Sequence, residues 1–139
     1  MNDNAVLINA YYDAWDEGEP SGIDRFLADD FVGHDPALAP EEFDGEGLKQ
    51  RFAGLAAALP GYRLTRESVV AQDDLVVVRW LTEGTVAEAV RPDGGPVSFT
   101  GITMYRLQDG RIAELWNEWD SVTFLKAIGV VPDSAAAAS

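Results

Sequence analysis

The sequence predicts an α+β domain in which N-terminal helices pack on a strongly curved, mostly antiparallel sheet that encloses an apolar pocket. Apolar residues recur at helical spacing up to about residue 59, and from residue 62 they alternate with polar residues as in strands. Because the helices precede the strands, we expect them to cover one face of the sheet. The length of 139 residues is typical of one domain, which we place at residues 1–132, with a disordered tail at 133–139.

Three helices are predicted in the first half of the chain, at residues 4–17, 22–28 and 47–59. The first has Asn and Asp residues as an N-cap and is stopped by Gly18, and the third is followed by a Pro-Gly pair. A brief strand over residues 30–36 lies between the second and third helices and leads into a polar loop.

Period-two alternation predicts the strands of the second half, and Asp or Gly residues mark the turns between them. The predicted strands cover residues 62–71, 75–84, 85–90, 97–107 and 111–120. A short helix at 122–128 follows the last strand.

The composition excludes several classes of function. The formal net charge of −14 disfavours nucleic acid and anionic membrane surfaces as partners, because both are negatively charged. The chain has no cysteine and one histidine, which removes disulfides, thiolate metal sites and multi-histidine metal sites. No apolar run approaches the roughly 18 residues of a membrane span, and the N-terminus lacks a signal-peptide pattern. We therefore expect a cytoplasmic protein.

Six short segments carry a resemblance to a known family. They are YYDAW at 11–15, FVGHDP at 31–36, GEGLK at 45–49, LPGYR at 59–63, YRLQDGRIAE at 105–114 and LWNEWD at 115–120. In these segments, and through nearly the whole chain short of the tail, the sequence resembles the SnoaL-like polyketide cyclases. That family lies within the NTF2-like superfamily, which also contains ketosteroid isomerase.

The resemblance implies an NTF2-like cone fold, a reaction that needs no cofactor, and a homodimer formed through the outer face of the sheet. In one place the sequence departs from the family pattern. Many relatives have Gly-Thr-His on the middle strand, whereas this chain reads Gly84-Thr85-Val86. If that histidine has a function in the relatives, it is missing or moved here.

Asp120 is the first candidate catalytic residue. It directly follows the segment Trp-Asn-Glu-Trp, and similar cyclases use the acidic residue at this position as a general acid and base. A carboxylate between indoles is poorly solvated and therefore suited to remove a proton next to a carbonyl. The alternative is structural, because Asp120 can also cap the helix that begins near Val122.

His34 is the second candidate, as a hydrogen-bond donor to an enolate oxygen or as a proton shuttle. The matching family loop has this histidine at the cavity. The alternative is a loop residue ordered by Asp35. That aspartate is itself grouped with neighbouring acidic residues in a predicted solvated surface, which comprises Asp29, Asp30, Asp35, Glu41 and Glu42.

Other residues are candidates for substrate binding. Strict alternation puts Trp116, Glu118 and Asp120 on one face of the last strand, predicted to line the cavity, and Asn117 and Trp119 on the other. The substrate-binding candidates are Tyr12, Trp15, Phe52, Trp80, Trp116, Asn117 and Glu118. For each aromatic residue, core packing is the alternative, and Asn117 is a weaker candidate, as is Tyr105, for a hydrogen bond to an oxyanion.

Three functions are compatible with these residues, each with a small hydrophobic organic partner. In the first, a cyclase without cofactor or metal, Asp120 removes a proton from a polyketide-like substrate, and the enolate attacks a carbonyl of the same molecule. His34 or a water then stabilises the oxyanion. The second is isomerisation, epoxide opening or hydration in the same pocket, with Glu118 as the second acid that epoxide opening requires. The third is ligand binding without catalysis.

Overall fold

A computed structural model describes residues 2–16 and 20–130 of the chain. The predicted helix stop at Gly18 and the predicted tail at 133–139 lie outside these residues. Within them, no helix is both long and apolar enough to cross a membrane.

The described residues form three α-helices and one 3-10 helix. Helix α1 covers Asp3–Asp16, α2 covers Gly45–Ala58 and α3 covers Ser121–Ala127, and the 3-10 helix covers Pro20–Phe26. The short helix predicted at 22–28 is therefore a 3-10 helix that passes directly into a strand. The bounds of the other three helices differ from the predicted ones by one or two residues, because each has its own capping signals in the sequence.

Six strands form one curved, mixed sheet in the order β2-β1-β6-β5-β4-β3. The strands are β1 at Leu27–His34, β2 at Glu42–Phe43, β3 at Arg63–Gln72, β4 at Leu75–Thr85, β5 at Pro96–Gln108 and β6 at Arg111–Trp119. The pairing of β1 with β6 is parallel, and all other pairings are antiparallel. This architecture confirms the predicted α+β cone.

The strand predicted at residues 85–90 is wrong. Beyond Thr85 the chain turns back on itself, since the backbone N–H of Val86 donates to the carbonyl of Gly95 and that of Ala87 donates to the carbonyl of Ala58. These backbone groups are therefore satisfied by a loop and a helix end instead of a neighbouring strand.

The helices cover one face of the sheet, which we call the inner face, and leave the outer face open. On β4 the inner face contains Val76, Val78 and Trp80, all buried. Helix α1 packs the buried residues Ile8 and Tyr11 into the same core. Alternation continues across the sheet through paired positions of β5 and β6, so each strand contributes every second residue to the space beneath the helices.

Candidate active site

A cavity of about 520 Å³ lies between the inner face and the helices. The helix side of its wall is largely apolar, with Leu48, Phe52 and Leu55 from α2 and Phe124 and Leu125 from α3. This volume is in the usual range for a small-molecule site, and such sites combine an apolar wall with a few polar groups. The polar groups of this cavity lie on the sheet, at the end of β1 and on the facing helices, and they include Asp35, Thr103, Asn117, Tyr12 and Arg51.

Asp35 is the buried carboxylate of the cavity. It follows β1 directly, and its side chain is 4% exposed. Phe31 and Gly33 are also buried, so Asp35 occupies the next inward position of the alternation that begins in β1. The prediction that Asp35 belongs to a solvated acidic surface is wrong, whereas the neighbouring Asp29 and Asp30 are exposed as predicted.

Three uncharged groups near the cavity's polar end donate hydrogen bonds to the Asp35 carboxylate. The indole N–H of Trp119 lies 3.0 Å from Oδ2 and 3.2 Å from Oδ1. The side-chain amide of Asn117 donates to Oδ2 at 3.3 Å, and the backbone N–H of Ala37 donates to Oδ1 at 3.0 Å. A carboxylate has only acceptor sites when ionised, so these donors suit its charged form.

Arg51 on α2 compensates the charge of Asp35. Its Nη1 lies 3.4 Å from Asp35 Oδ2, and its Nη2 donates to the carbonyls of Leu38 and Pro40. The guanidinium also stacks 4.2 Å from the centre of the Phe43 ring. Burial lowers the pKa of Arg51 while Asp35 raises it, and the group remains charged. Arg51 therefore ties Asp35 and the loop that follows it to helix α2.

A chain of hydrogen bonds continues from Asp35 across the sheet. The Thr103 hydroxyl donates to Asn117 Oδ1 at 2.7 Å, which leaves the Asn117 amide nitrogen directed at Asp35. The indole N–H of Trp80 in turn donates to Thr103 Oγ1 at 3.0 Å. The orientation of the Asn117 amide is thereby determined by its two neighbours.

Tyr12 and Tyr105 form a second polar element of the wall. Their hydroxyl oxygens are 2.7 Å apart, and both side chains are buried. Burial raises the pKa of Tyr12 to about 12, although the hydrogen bond with Tyr105 opposes this shift. Burial likewise raises the pKa of Tyr105 well above its usual value. Both groups are therefore neutral phenols at physiological pH, able to donate as well as accept.

Asp120 does not line the cavity, so its predicted placement is wrong. It is exposed and is the N-cap of α3, where Oδ1 accepts from the Thr123 backbone N–H at 3.2 Å and Oδ2 accepts from the Thr123 hydroxyl at 2.6 Å. Asp120 therefore caps α3, which is the structural alternative that the sequence analysis gives for this residue.

Trp116 and Glu118 also lie away from the cavity. The two faces of β6 are divided as predicted, but the cavity is on the face of Leu115, Asn117 and Trp119. The reason is the register with β5, where Asn117 pairs with the inward residue Thr103. Glu118 is exposed on the outer face and cannot form the acid pair considered for epoxide opening.

His34 lies on the outer face with Trp116. Its Nε2 is 2.7 Å from Glu114 Oε2, and its ring is parallel to that of Trp116 at a centroid distance of 5.7 Å. Glu114 also accepts hydrogen bonds from Arg106. The prediction that His34 is at the cavity is therefore wrong, because alternation along β1 directs Asp35 inward and His34 outward.

Four of the predicted substrate-binding residues do line the cavity, namely Tyr12, Phe52, Trp80 and Asn117. Tyr105, the weaker candidate, lines it as well. Trp15 is buried behind this wall, where its ring stacks on Phe52 with centroids 3.6 Å apart. Trp15 therefore packs in the core, which is the alternative that the sequence analysis gives for each aromatic residue.

Val86, at the position of the relatives' histidine, is buried but is not part of the cavity wall. It packs close to Gly94, where an added Cβ would lie 2.6 Å from the Val86 Cβ. The departure from the family pattern therefore leaves the described cavity intact.

The comparisons with known proteins agree with this fold and cavity. Residues 5–128 match the family model of the SnoaL-like polyketide cyclases, and the chain belongs to this family. A search of curated protein sequences finds no significant match.

Several solved structures are similar over almost the whole chain. IdmH of Streptomyces antibioticus, a proposed polyketide cyclase, has 30% identity and a TM-score of 0.77, with 92% of this chain and 99% of IdmH covered. AclR of Streptomyces galilaeus, a proposed hydroxylase, has 25% identity and a TM-score of 0.79, with 94% and 83% covered. An NTF2-like protein of Burkholderia thailandensis has 16% identity and a TM-score of 0.77, with 92% and 98% covered, and shows the fold alone. Family and neighbours together support a cyclase-type enzyme.

Proposed function

We propose that the protein is a cofactor-independent, cyclase-type enzyme in which Asp35 removes a proton from a carbon next to a carbonyl of a small hydrophobic compound. The supporting observation is a buried carboxylate at the polar end of a cavity whose α2 and α3 walls are largely apolar. Carboxylates with this setting serve as general bases for carbon acids. Asp35 thus takes the part that the resemblance assigned to Asp120.

The proposed reaction has three steps, which are deprotonation of the substrate, carbon–carbon bond formation and reprotonation of the product. A carboxylate oxygen of Asp35 takes the proton from the substrate carbon, and the bonding electrons pass into the adjacent carbonyl to form an enolate. The enolate carbon then attacks a second carbonyl of the same molecule, which forms the new C–C bond and leaves an alkoxide. Asp35 returns its proton to this oxygen. The cavity contributes by holding the two reacting carbons together.

Asn117 is the proposed donor to the enolate oxygen. One N–H of its amide is directed at Asp35, 3.3 Å away, and the same nitrogen carries a second N–H. When Asp35 takes the proton from the α-carbon, the oxygen of the adjacent carbonyl can therefore accept a hydrogen bond from the Asn117 amide beside it. Loss of one such donor typically slows catalysis by about a hundredfold or more. The neutral Tyr12–Tyr105 phenol pair is available to a further substrate oxygen.

The charge balance of the cavity favours an uncharged substrate. Among the described lining residues, Asp35 and Arg51 are the charged ones, and they face each other. A substrate carboxylate placed beside them would meet the charge of Asp35 while the guanidinium is already engaged. Ketones, esters and lactones meet no such repulsion.

The test is exchange of the acidic α-protons of β-tetralone for deuterium, followed by proton NMR in deuterated buffer. Wild type should accelerate the exchange over buffer, and Asp35→Asn should reduce that acceleration at least a hundredfold, because a neutral amide cannot accept the proton. Binding of β-tetralone, measured by tryptophan quenching, should change by no more than a few-fold. The matched control is Glu118→Gln, which neutralises an exposed outer-face carboxylate and should behave as wild type.

The second candidate is a ligand-binding protein without catalysis. The observation that favours it is the number of donors already on Asp35, which come from Trp119, Asn117, Arg51 and the Ala37 backbone. A carboxylate so engaged can serve as a fixed part of the wall. Binding of β-tetralone with no exchange above the buffer rate would establish this reading over the enzymatic one.

A further inference from the structure

We propose that Asp120 is a positioning residue that acts on the candidate active site through helix α3 and does not contact the ligand. The inference rests on the proposed function, in which Asp35 is the reacting carboxylate. Asp120 does not line the cavity, and the role proposed for it is structural support of the site, which differs from general acid–base catalysis.

Asp120 is hydrogen-bonded both to the sheet and to α3. Its backbone N–H donates to the Thr100 carbonyl of β5 at 2.9 Å, which extends the sheet by one residue. Its carboxylate receives both the backbone N–H and the hydroxyl of Thr123 in the first turn of α3. A helix of seven residues is too short to be stable without such support. The cap formed by Asp120 therefore stabilises the first turn of α3 in its position against the sheet.

Helix α3 in turn holds the indole that bonds to Asp35. Phe124 is buried, and its ring centroid lies 5.7 Å from that of Trp119 and 5.3 Å from that of Phe99. The indole N–H of Trp119 donates to Asp35 at 3.0 Å. Displacement of Phe124 would remove one side of the packing around this indole and loosen its hydrogen bond to Asp35.

The far end of α3 is fastened independently. The Arg91 guanidinium donates to the Lys126 carbonyl at 2.6 Å and so ties the last turn to the loop that follows β4, while the Val130 backbone N–H closes the end of the helix by donating to the Leu125 carbonyl at 3.0 Å. Loss of the cap should therefore disturb the first turn, which carries the link to Phe124, and leave the last turn attached. A partial, local effect is expected instead of unfolding.

The experiment compares Asp120→Asn, Asp120→Ser and Asp120→Ala. Asn and Ser cap helices about as well as Asp, whereas Ala does not, and neither Asn nor Ser can exchange a proton as a carboxylate does. A positioning role predicts that the Asn and Ser variants keep the β-tetralone exchange rate within about twofold of wild type. The Ala variant should lose up to about fivefold, the factor that corresponds to the roughly 1 kcal/mol of one helix cap when all of it is lost at the site. Glu118→Gln again serves as the charge control.

The second readout is the indole N–H resonance of Trp119 in proton–nitrogen correlation spectra, assigned with Trp119→Phe. Its shift and slow solvent exchange report the hydrogen bond to Asp35. Both should be unchanged in the Asn and Ser variants, and the Ala variant should show a moved resonance and faster exchange.

Two outcomes would overturn the inference. In the first, Asp120→Asn is as inactive as Asp35→Asn while the Trp119 resonance is unchanged, which would make Asp120 catalytic. In the second, Asp120→Ala leaves the resonance unchanged. If wild type fails to accelerate exchange, the proposed function fails, but the Trp119 resonance still decides whether the cap positions the indole.

Discussion

Gly101 should tolerate no side chain, because it separates two indoles of the inner face. It is buried on β5, where it pairs with Trp80 of β4 and with Trp119 of β6. In Gly101→Ala the new Cβ would lie 2.3 Å from Trp80 Cζ2 and 2.6 Å from Trp119 Cβ. Ordinary contacts begin at 3.4 Å, so each neighbour would have to move by roughly 1 Å.

The size of the effect follows from the hydrogen bonds that such a movement would break. Trp80 donates to Thr103 and Trp119 donates to Asp35, both at 3.0 Å. A shift of about 1 Å removes most of each bond, at about 1 kcal/mol apiece. Overpacking of a buried site adds about 1–3 kcal/mol. We therefore expect Gly101→Ala to lower the free energy of unfolding by about 3–5 kcal/mol.

Urea unfolding followed by tryptophan fluorescence measures this loss. With a denaturant slope of about 2 kcal/mol per molar, the midpoint should fall by about 1.5–2.5 M. Gly54→Ala on α2 is the matched control, because its added Cβ has no heavy atom within 4 Å. Alanine is favoured over glycine in a helix, so that variant should be about 0.5–1 kcal/mol more stable than wild type. A Gly101→Ala protein within about 0.5 kcal/mol of wild type would refute the packing argument.

Two further predictions concern the polar groups on either face of the sheet. Thr103→Val should lower the free energy of unfolding by about 2 kcal/mol in the same urea assay, since Asn117 and Trp80 both lose their partner; equal losses in Thr103→Val and the outward-facing Thr100→Val would contradict this. The hydrogen bond from His34 lowers the pKa of Glu114 below its usual 4.5, so the ionised carboxylate contributes stability above that pH which is lost as the pH falls through the lower folded-state value. Glu114→Gln should therefore be less stable than wild type near neutral pH and approach it in acid, and a stability gap that is unchanged in acid would count against the pairing.

Much of the fold was predictable from local patterns. Helix α2, for example, has its own cap at Asp44 and ends before a Pro-Gly pair, so its bounds can be read without any tertiary contact. The strand proposed at 85–90 shows the limit of this reasoning. Its apolar residues suit a strand, but Val86 and Ala87 find their backbone partners in a distant loop and helix end.

The candidate site was predictable only in part. Tyr12, Phe52 and Trp80 were identified, because aromatic residues at regular spacing in apolar segments mark the side of an element that meets the interior. Asn117 also lines the cavity, although strict alternation had assigned it to the face opposite the predicted cavity. Asp35 was missed although a signal existed. Alternation from Phe31 directs it inward, but the acidic residues around it suggested a solvated surface.

The sequence by itself determined the family, the order of helices and strands, the absence of thiol chemistry and the two faces of each strand. The tertiary structure decided which of those faces meets the cavity. Its decisive feature is the parallel pairing of β1 with β6, which brings Asp35 to Asn117 and Trp119, 82 and 84 residues further along the chain. Period-two alternation divides a strand into two faces but does not say which face is buried. The neighbouring strands and the covering helices determine that, and therefore determine which carboxylate lies in the cavity.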